Sequence, residues 1–264
     1  MHIQLLGRLR IRRFDDEVTL SAAKQRSVLA TLAVHADTHV PLGVLVDELW
    51  ESRPPATAVR TVQTYVYQIR RSLQLAASRA ETDHSYAALL TSSRGYVLRL
   101  GEHSVVDTTL FRDLVKRGRA RLSADENDEA VRDLRSALEL WSGPVFGDVP
   151  KGSALGAAAI SLEQVRTRAR EMLYDAELRC GRHDDIVDEL VGLTHADPTQ
   201  ERFSALLMTA LLRGDHRAEA LRVFHNLRAA LDAQFGVPPS PTVQRVLSQI
   251  LTDSSKNAGA MLTH

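Results

Sequence analysis

The stretch "SRPPATAVRTVQTYVYQIRRSL", Ser52 to Leu73, decides the fold. It belongs to a chain of 264 residues with a formal net charge of zero, yet from Ser52 to Ala80 there are five arginines and no Asp or Glu. Pro54-Pro55 stops any helix arriving from upstream and forces extended backbone. Behind it, the apolar spacing predicts a helix over about Thr57–Leu73. At about 100° per residue, Val59, Val62, Val66, Ile69 and Leu73 gather on one side, flanked by Tyr65 and Ala58, and that side faces a core. Opposite them lie Thr57, Arg60, Thr61, Thr64, Tyr67, Gln68 and Arg71, with Arg70 and Gln63 on one shoulder.

The outward composition is informative. A helix in the major groove needs short polar side chains for close approach. It needs Arg, Asn or Gln for bidentate contacts with guanine or adenine, and Arg, Thr or Tyr to hold phosphates. A solvated helix more often mixes Glu and Lys, because opposite charges at i,i+4 favour it by a few tenths of a kcal/mol. Such pairs are absent here. An acidic protein partner, or plain solvent, would accept the same face, so this helix by itself leaves DNA and protein recognition open.

The flanking sequence narrows the choice. "IQLLGRLRI" (3–11), broken by Gly7, and "EVTL" (17–20) read as short strands. Ser21 is placed to cap a helix over about Ala22–His35, carried by Val28, Leu29, Leu32 and Ala33. A second helix, about Leu42–Trp50, buries Leu42, Leu45, Val46 and Leu49, and Trp50 reads as core. After the Arg-rich helix and a polar stretch (78–85), "YAALLTSSRGYVLRL" (86–100) reads as two strands joined by a Ser-Ser-Arg-Gly turn. Helix, helix, Pro-containing loop, basic amphipathic helix and hairpin is the winged helix–turn–helix order. Arg94 at the hairpin tip could reach a minor groove or a phosphate. Arg53 in the loop could meet phosphate or a protein, and Arg70, on the shoulder of the basic helix, counts with Thr57, Arg60, Thr61, Thr64, Tyr67, Gln68 and Arg71 as a candidate DNA contact.

From about Val106 the pattern turns helical, with breaks at 141–144, 146–153, 180–184, 196–199, 213–216 and 235–241. "LRCGRHDD" (178–185) and "LLRGDHRA" (211–218) place Gly181 and Gly214 33 residues apart, and "EAVRDL" (129–134) echoes "EALRVF" (219–224). A helix-hairpin period near 34 residues marks tetratricopeptide-like arrays. The expected fold is therefore mainly α: a winged helix–turn–helix domain with small sheets and a wing hairpin over 1–104, then an all-α TPR-like domain over 105–252. The polar, small-residue tail 253–264 is expected to be disordered.

Composition excludes several classes. A 44% hydrophobic and 25% charged content fits a soluble globular chain. One cysteine, Cys180, excludes an intramolecular disulfide and suits a reducing compartment. No apolar run approaches the roughly 20 residues of a membrane span, and the N-terminus does not read as a signal peptide. The expected location is the cytoplasm, at the nucleoid, with no membrane partner. Residues 1–103 carry +3 and residues 104–264 carry −3, so total charge is silent on nucleic acid and only its clustering speaks. Gly147-x4-Gly152-Ser153 grazes the phosphate-loop pattern but lacks the lysine at its position and a preceding strand, so it reads as a flexible interhelix loop. His183 and His216 fall at matching points of the repeat, without further ligands for a metal. Neither a cofactor nor an enzymatic activity is expected.

The motifs also resemble a known family. "LLGRLRI", "KQRSVLATLAVHAD", "LVDELW", "PPATA", "VQTYVYQIRRSL" and "SSRGYVLRL" resemble the SARP family, the antibiotic-pathway regulators of actinomycetes. "ALELWSGP", "LLMTALLRGDHRAEALRVF" and "FGVPPSP" resemble its second module, the bacterial transcriptional activator domain. The resemblance implies an OmpR-like winged helix joined to a TPR-like domain. It implies an activator of a secondary-metabolite gene cluster that binds direct repeats in double-stranded promoter DNA, two copies head-to-tail. RNA polymerase holoenzyme, including sigma factor, is the implied partner. Arg60, Thr64, Gln68 and Arg71 then occupy groove-facing positions, Arg94 belongs to the wing, and Glu51, Ser52, Arg53, Pro54 and Pro55 form the polymerase-contact loop. Two features depart from the family: "FGDVPKGSALGAAA" (146–159) is small where a more apolar, acid-containing stretch is usual, and the chain ends just after the activator domain. The alternative is a TPR-type adaptor without sequence-specific DNA binding.

Overall fold

Apolar–polar alternation at the N-terminus builds the first sheet of the computed structural model, which describes residues 1–13, 16–75 and 88–261. Strand β1 (His2–Gln4) pairs antiparallel with β2 (Arg10–Arg13), Ile3 opposite Ile11. Those two isoleucines are buried, while His2, Arg10 and Arg12 are exposed. Strand β3 (Asp16–Glu17) extends the sheet beside β2, and Val105–Val106 adds a parallel strand beside β1. The strand expected at "EVTL" thus ends at Glu17. Val18, whose amide still donates to Ile11 O, and Leu20 turn into the core instead.

Helix α1 (Ala23–Val34) is the centre of the first unit, with every residue from Ser27 to Ala33 buried. Ser21 does not cap it: the N-cap position is Ala22, and no side-chain cap bond forms. A two-residue strand the sequence did not announce, β4 (Val40–Pro41), leads into α2 (Leu42–Trp50), whose bounds match the expectation. Its face differs in detail. Leu45 and Glu48 are buried, whereas Leu42, Val46 and Leu49 are only half-buried. Trp50 is also half-buried, with Lys24 Nζ 4.3 Å from its ring centroid. Helix α3 (Ala58–Leu75) follows, then the hairpin β5 (Ala88–Ser92) and β6 (Gly95–Arg99). The expected polar connection at 78–85 and the first two residues of the hairpin motif lie outside the described residues. Strand β4 pairs with β6, giving the order β4-β6-β5. Gly95 makes this pairing possible, since a Cβ there would collide with the Val40 carbonyl oxygen.

Beyond β7 (Val105–Val106) the chain is helical: α4 (Asp107–Ser123), α5 (Asn127–Glu139) and α6 (Ser153–Arg179). Packing divides the chain into Met1–Arg117 with Asp133–Ala169, and Gly118–Arg132 with Arg170–His264. The compact units therefore do not divide at 104/105: the first halves of α4 and α6 and the C-terminal half of α5 pack with the winged helix.

Two carboxylates and one loop hold the first unit together. Buried Asp107 accepts from the amides of Leu5 (2.8 Å) and Leu6 (2.8 Å). Burial pushes its carboxyl above the usual range, against the pull of those backbone N–H groups. Glu48, 5% exposed on α2, accepts from the amides of Gly152 (2.6 Å), Ala154 (2.8 Å) and Leu155 (3.1 Å). The helix N-terminus that mimics a phosphate loop is thus filled by the protein's own carboxylate, which suits the positive end of the helix dipole. The segment expected to be a flexible interhelix loop is instead tied down. Ser142 N, Phe146 N and Gly147 N donate to Leu6 O, Leu5 O and Gly7 O, and Ser27 Oγ donates to Pro150 O. Val145, Phe146 and Val149 are buried beneath it. Its small residues are there for close approach: a Cβ on Gly152 would strike the Glu48 carbonyl.

The second unit carries α7 (Val187–Ala196), α8 (Glu201–Arg213), α9 (Arg217–Phe235) and α10 (Pro241–Met261). Three of its helix ends share one turn. Asp125, Gly181 and Asp215 all have positive φ (61°, 78° and 62°). In each case the amide of that residue bonds three residues back and the next amide five back. This is the Schellman closure, and Gly and Asp tolerate its left-handed residue. The structural repeat therefore matches Gly181 with Asp215, 34 positions apart, rather than with Gly214. His183 and His216 sit at N-cap positions without side-chain cap bonds. Pro241 opens α10 at the position where its missing N–H costs nothing. The backbone of α10 stays helical to Met261, past Asp253, where composition predicts a disordered tail; no proline interrupts 242–261.

Candidate nucleic-acid interface

Helix α3 begins where Pro54-Pro55 forbids an earlier start. Ala58 N reaches Pro55 O (2.9 Å) and Thr61 N reaches Thr57 O (2.9 Å). Ala58, Val62, Val66, Ile69 and Leu73 form its buried stripe. Val59 does not join them: it is 48% exposed, because the helix end overhangs the core and Ala58 takes the inward place. At the other end, Arg13 Nη1 donates to Leu73 O (3.1 Å), bringing a cation to the negative end of the helix.

Opposite the stripe, Thr57, Arg60, Thr64, Tyr67, Gln68 and Arg71 are exposed, and Thr61 is half-buried. Tyr67, at 64% exposure, stands furthest out among the α3 aromatics. Among the described residues, Arg53, Arg60, Arg71 and Arg94 have no ion-pair or side-chain hydrogen-bond partner, so their guanidinium groups keep all five donors. The hydroxyls of Thr61 and Thr64 donate to the carbonyls of Thr57 and Arg60 (both 3.0 Å), which leaves each oxygen outward as an acceptor.

One expected contact takes another position, and a second keeps its outward place but is braced there. Arg70, expected on the DNA side, is half-buried and holds the hairpin: Nε donates to Leu89 O (2.7 Å), Nη2 to Thr91 Oγ1 (2.8 Å), and the guanidinium lies 5.8 Å from the Tyr96 ring. Gln68 is engaged by Gln25 of α1, whose Nε2 donates to its Oε1. The outward face is thus braced by the hairpin on one side and by α1 on the other. Sequence spacing could not reveal either brace, since Gln25 and Thr91 lie far from α3 in the chain.

Arg94 sits at the hairpin tip with φ 55°, exposed, while its carbonyl accepts from Leu42 N (2.9 Å). That bond fixes the tip to the start of α2. In the loop before α3, Glu51 (φ 51°), Ser52, Arg53, Pro54 and Pro55 are all exposed. Among the described residues, no group of three His, Cys, Asp or Glu side chains could hold a metal, and no helix is long and apolar enough to cross a membrane.

A helix–turn–helix unit with a pinned wing, joined to helical-repeat turns, defines a winged-helix regulator. Comparison agrees along most of the chain. Residues 15–98 match the family described as "Transcriptional regulatory protein, C terminal", and residues 106–251 match "Bacterial transcriptional activator domain". The chain is 36% identical to Regulatory protein DnrI of Streptomyces peucetius over 95% of itself and 92% of that protein. It is 33% identical to Transcriptional regulator RedD of Streptomyces coelicolor, covering 70% of it. A solved structure of Mycobacterium tuberculosis EmbR in complex with a low-affinity phosphopeptide superposes with a TM-score of 0.86 at 27% identity, covering 96% of this chain and 65% of that one. The chain belongs to the SARP family of transcriptional regulators, with an OmpR-type winged helix followed by a TPR-like activator domain. Its relatives are regulators rather than enzymes.

Proposed function

We propose that the protein is a sequence-specific, DNA-binding transcription activator of a secondary-metabolite gene cluster. The observation that carries this reading is the acid-free outward face of α3, with Arg60 and Arg71 unpaired among the described residues on a helix fixed at both flanks. Such a face suits the major groove: Arg60 and Arg71 are built for guanine or phosphate, and Gln68 for a purine edge. Thr57, Thr61, Thr64 and Tyr67 line the approach to the backbone, Arg94 meets a phosphate or the minor groove, and Arg53 extends the basic side. Arg70 serves by holding the wing. Two copies sit head-to-tail on direct repeats with centres one helical turn, about 10.5 bp, apart. The loop Glu51–Pro55 and the TPR-like module engage RNA polymerase holoenzyme, including sigma factor.

Gel-shift titration on promoter DNA from the gene's own neighbourhood, at two salt concentrations, tests the reading. Affinity should fall steeply with salt, by a log–log slope of about 0.9 per neutralised phosphate. Binding that is absent, or indifferent to both salt and sequence, would overturn it. Footprints showing an inverted repeat would remove the head-to-tail arrangement. Residues 1–105 activating as well as the full chain would remove the role of the helical module.

A further inference from the structure

Among the described residues, one polar contact joins the outward face of α3 to a residue outside it: Gln25 Nε2 donates to Gln68 Oε1. Gln25 is half-buried in the first turn of α1, and α1 packs along α3. Gln68 is exposed, on the flank of the outward face nearest α1. An unattached glutamine has three rotatable bonds and an amide that can present either its carbonyl or its NH2 group. The contact with Gln25 removes that freedom. A donor already faces the carbonyl, so Nε2 is the end left over, with both hydrogens, together with the second lone pair of Oε1.

The free groups have a definite chemical complement. In the major groove adenine shows the N7 acceptor beside the N6 amino donor, and guanine shows two acceptors, N7 and O6. A held amide with an NH2 group and one carbonyl lone pair free matches the adenine pair at both ends and a purine N7 at the least. We propose that Gln25 is a positioning residue that sets which base Gln68 reads, so that part of the specificity is determined from outside the recognition helix. This inference rests on the DNA-binding reading above. It also predicts an inversion. In Gln25→Glu the donor becomes an acceptor, which draws Gln68 Nε2 inward and turns Oε1 toward the groove, favouring cytosine, whose N4 amino group donates, over a purine N7.

The test uses the full chain and a randomised duplex library, sequenced before and after selection. Gln68→Ala should flatten the preference at one base-pair position. Gln25→Ala should reduce preference at that same position by at least about threefold, part of the roughly 5- to 150-fold that one bidentate pair discriminates. Its affinity for an unrelated duplex in the same salt should stay within about twofold. Gln25→Glu should shift that position away from adenine toward cytosine, which shows the N4 amino donor without an N7 acceptor beside it. If Gln25→Ala weakens all sequences alike, or leaves the Gln68 position untouched, the inference falls. It falls too if Gln68→Ala moves no position, although DNA reading through Arg60 and Arg71 survives that result. If the wild-type chain enriches no sequence, the DNA reading and this inference fall together.

Discussion

Replacing Glu48 by alanine tests how the first unit is clasped. Its carboxylate is the acceptor for three amides at the start of α6, those of Gly152, Ala154 and Leu155. Loss of an ordinary N-cap costs about 0.5–2 kcal/mol, and a buried donor left unsatisfied costs about 1–3 kcal/mol. The three costs do not add in full. Gly152 and Ala154 are half-exposed, so water can reach their amides once the side chain is gone, whereas Leu155 is buried. A net loss of about 2–3 kcal/mol follows, worth about 5–10 °C of Tm for a body of this size. Glu48→Gln keeps one carbonyl but turns an NH2 group toward amides that need an acceptor, so it should lose about half as much.

The assay can be confined to the right part of the molecule. Both tryptophans, Trp50 and Trp141, lie in the first unit, so tryptophan fluorescence follows its melting alone. Hydrogen exchange at residues 152, 154 and 155 supplies the local readout, because these amides should lose protection in Glu48→Ala. Asp47→Ala is the control: its side chain is exposed on the same helix and should shift stability by less than about 0.5 kcal/mol. A Glu48→Ala protein melting within about 1 °C of wild type, with the three amides still protected, would refute the clasp.

The other expectations concern both modules. Arg60→Ala or Arg71→Ala should cost about 1–3 kcal/mol of discrimination at one base pair if the arginine is bidentate to guanine, read by competition between single-base variants of the selected site. Arg70→Ala breaks the bonds to Leu89 O and Thr91 Oγ1, so binding should weaken for all sequences while base preference is retained. Gly95→Ala drives a Cβ into the Val40 carbonyl and should lower the urea midpoint by the equivalent of about 1–3 kcal/mol. In the helical module, the hydrogen bond from Arg182 and then its charge hold the Asp128 carboxyl below its ordinary value of 3.8. A lowered folded-state pKa gives stability present above that value and lost as pH falls through the folded one. Thermal melts of Asp128→Asn followed by circular dichroism should therefore lack part of the wild-type decline below about pH 4.

What could be read from the chain depended on the range of the interaction that decides each feature. Helix α2 was legible to the residue, and α3 nearly so, because proline, periodicity and helix length are local signals. Val59 was misplaced for a reason the wheel cannot hold: periodicity gives direction, but where the core ends is a tertiary fact. Strand β4 is two residues long and exists through its pairing with β6, so it has no pattern of its own. The repeat was visible, but its register was one residue off. Glycine identity suggested Gly181 with Gly214, while the left-handed position belongs to Asp215.

The same distinction applies to the candidate interface. Its composition is local and could be read directly. The division of labour within it is not: Arg70 and Arg71 are neighbours of identical chemistry, and the hairpin, brought back beyond the polar connection, commits Arg70 to structure, whereas Arg71 has no partner among the described residues. Glu48 makes the point from the opposite side. Nothing in its own helix singles this acid out, and the Gly152-Ser153 turn reads as a flexible loop. Each is explained only by the other, 104 positions along the chain. A basic face can be recognised by what it lacks, but the residues that make it rigid enough to choose a base are recognised only by what they touch.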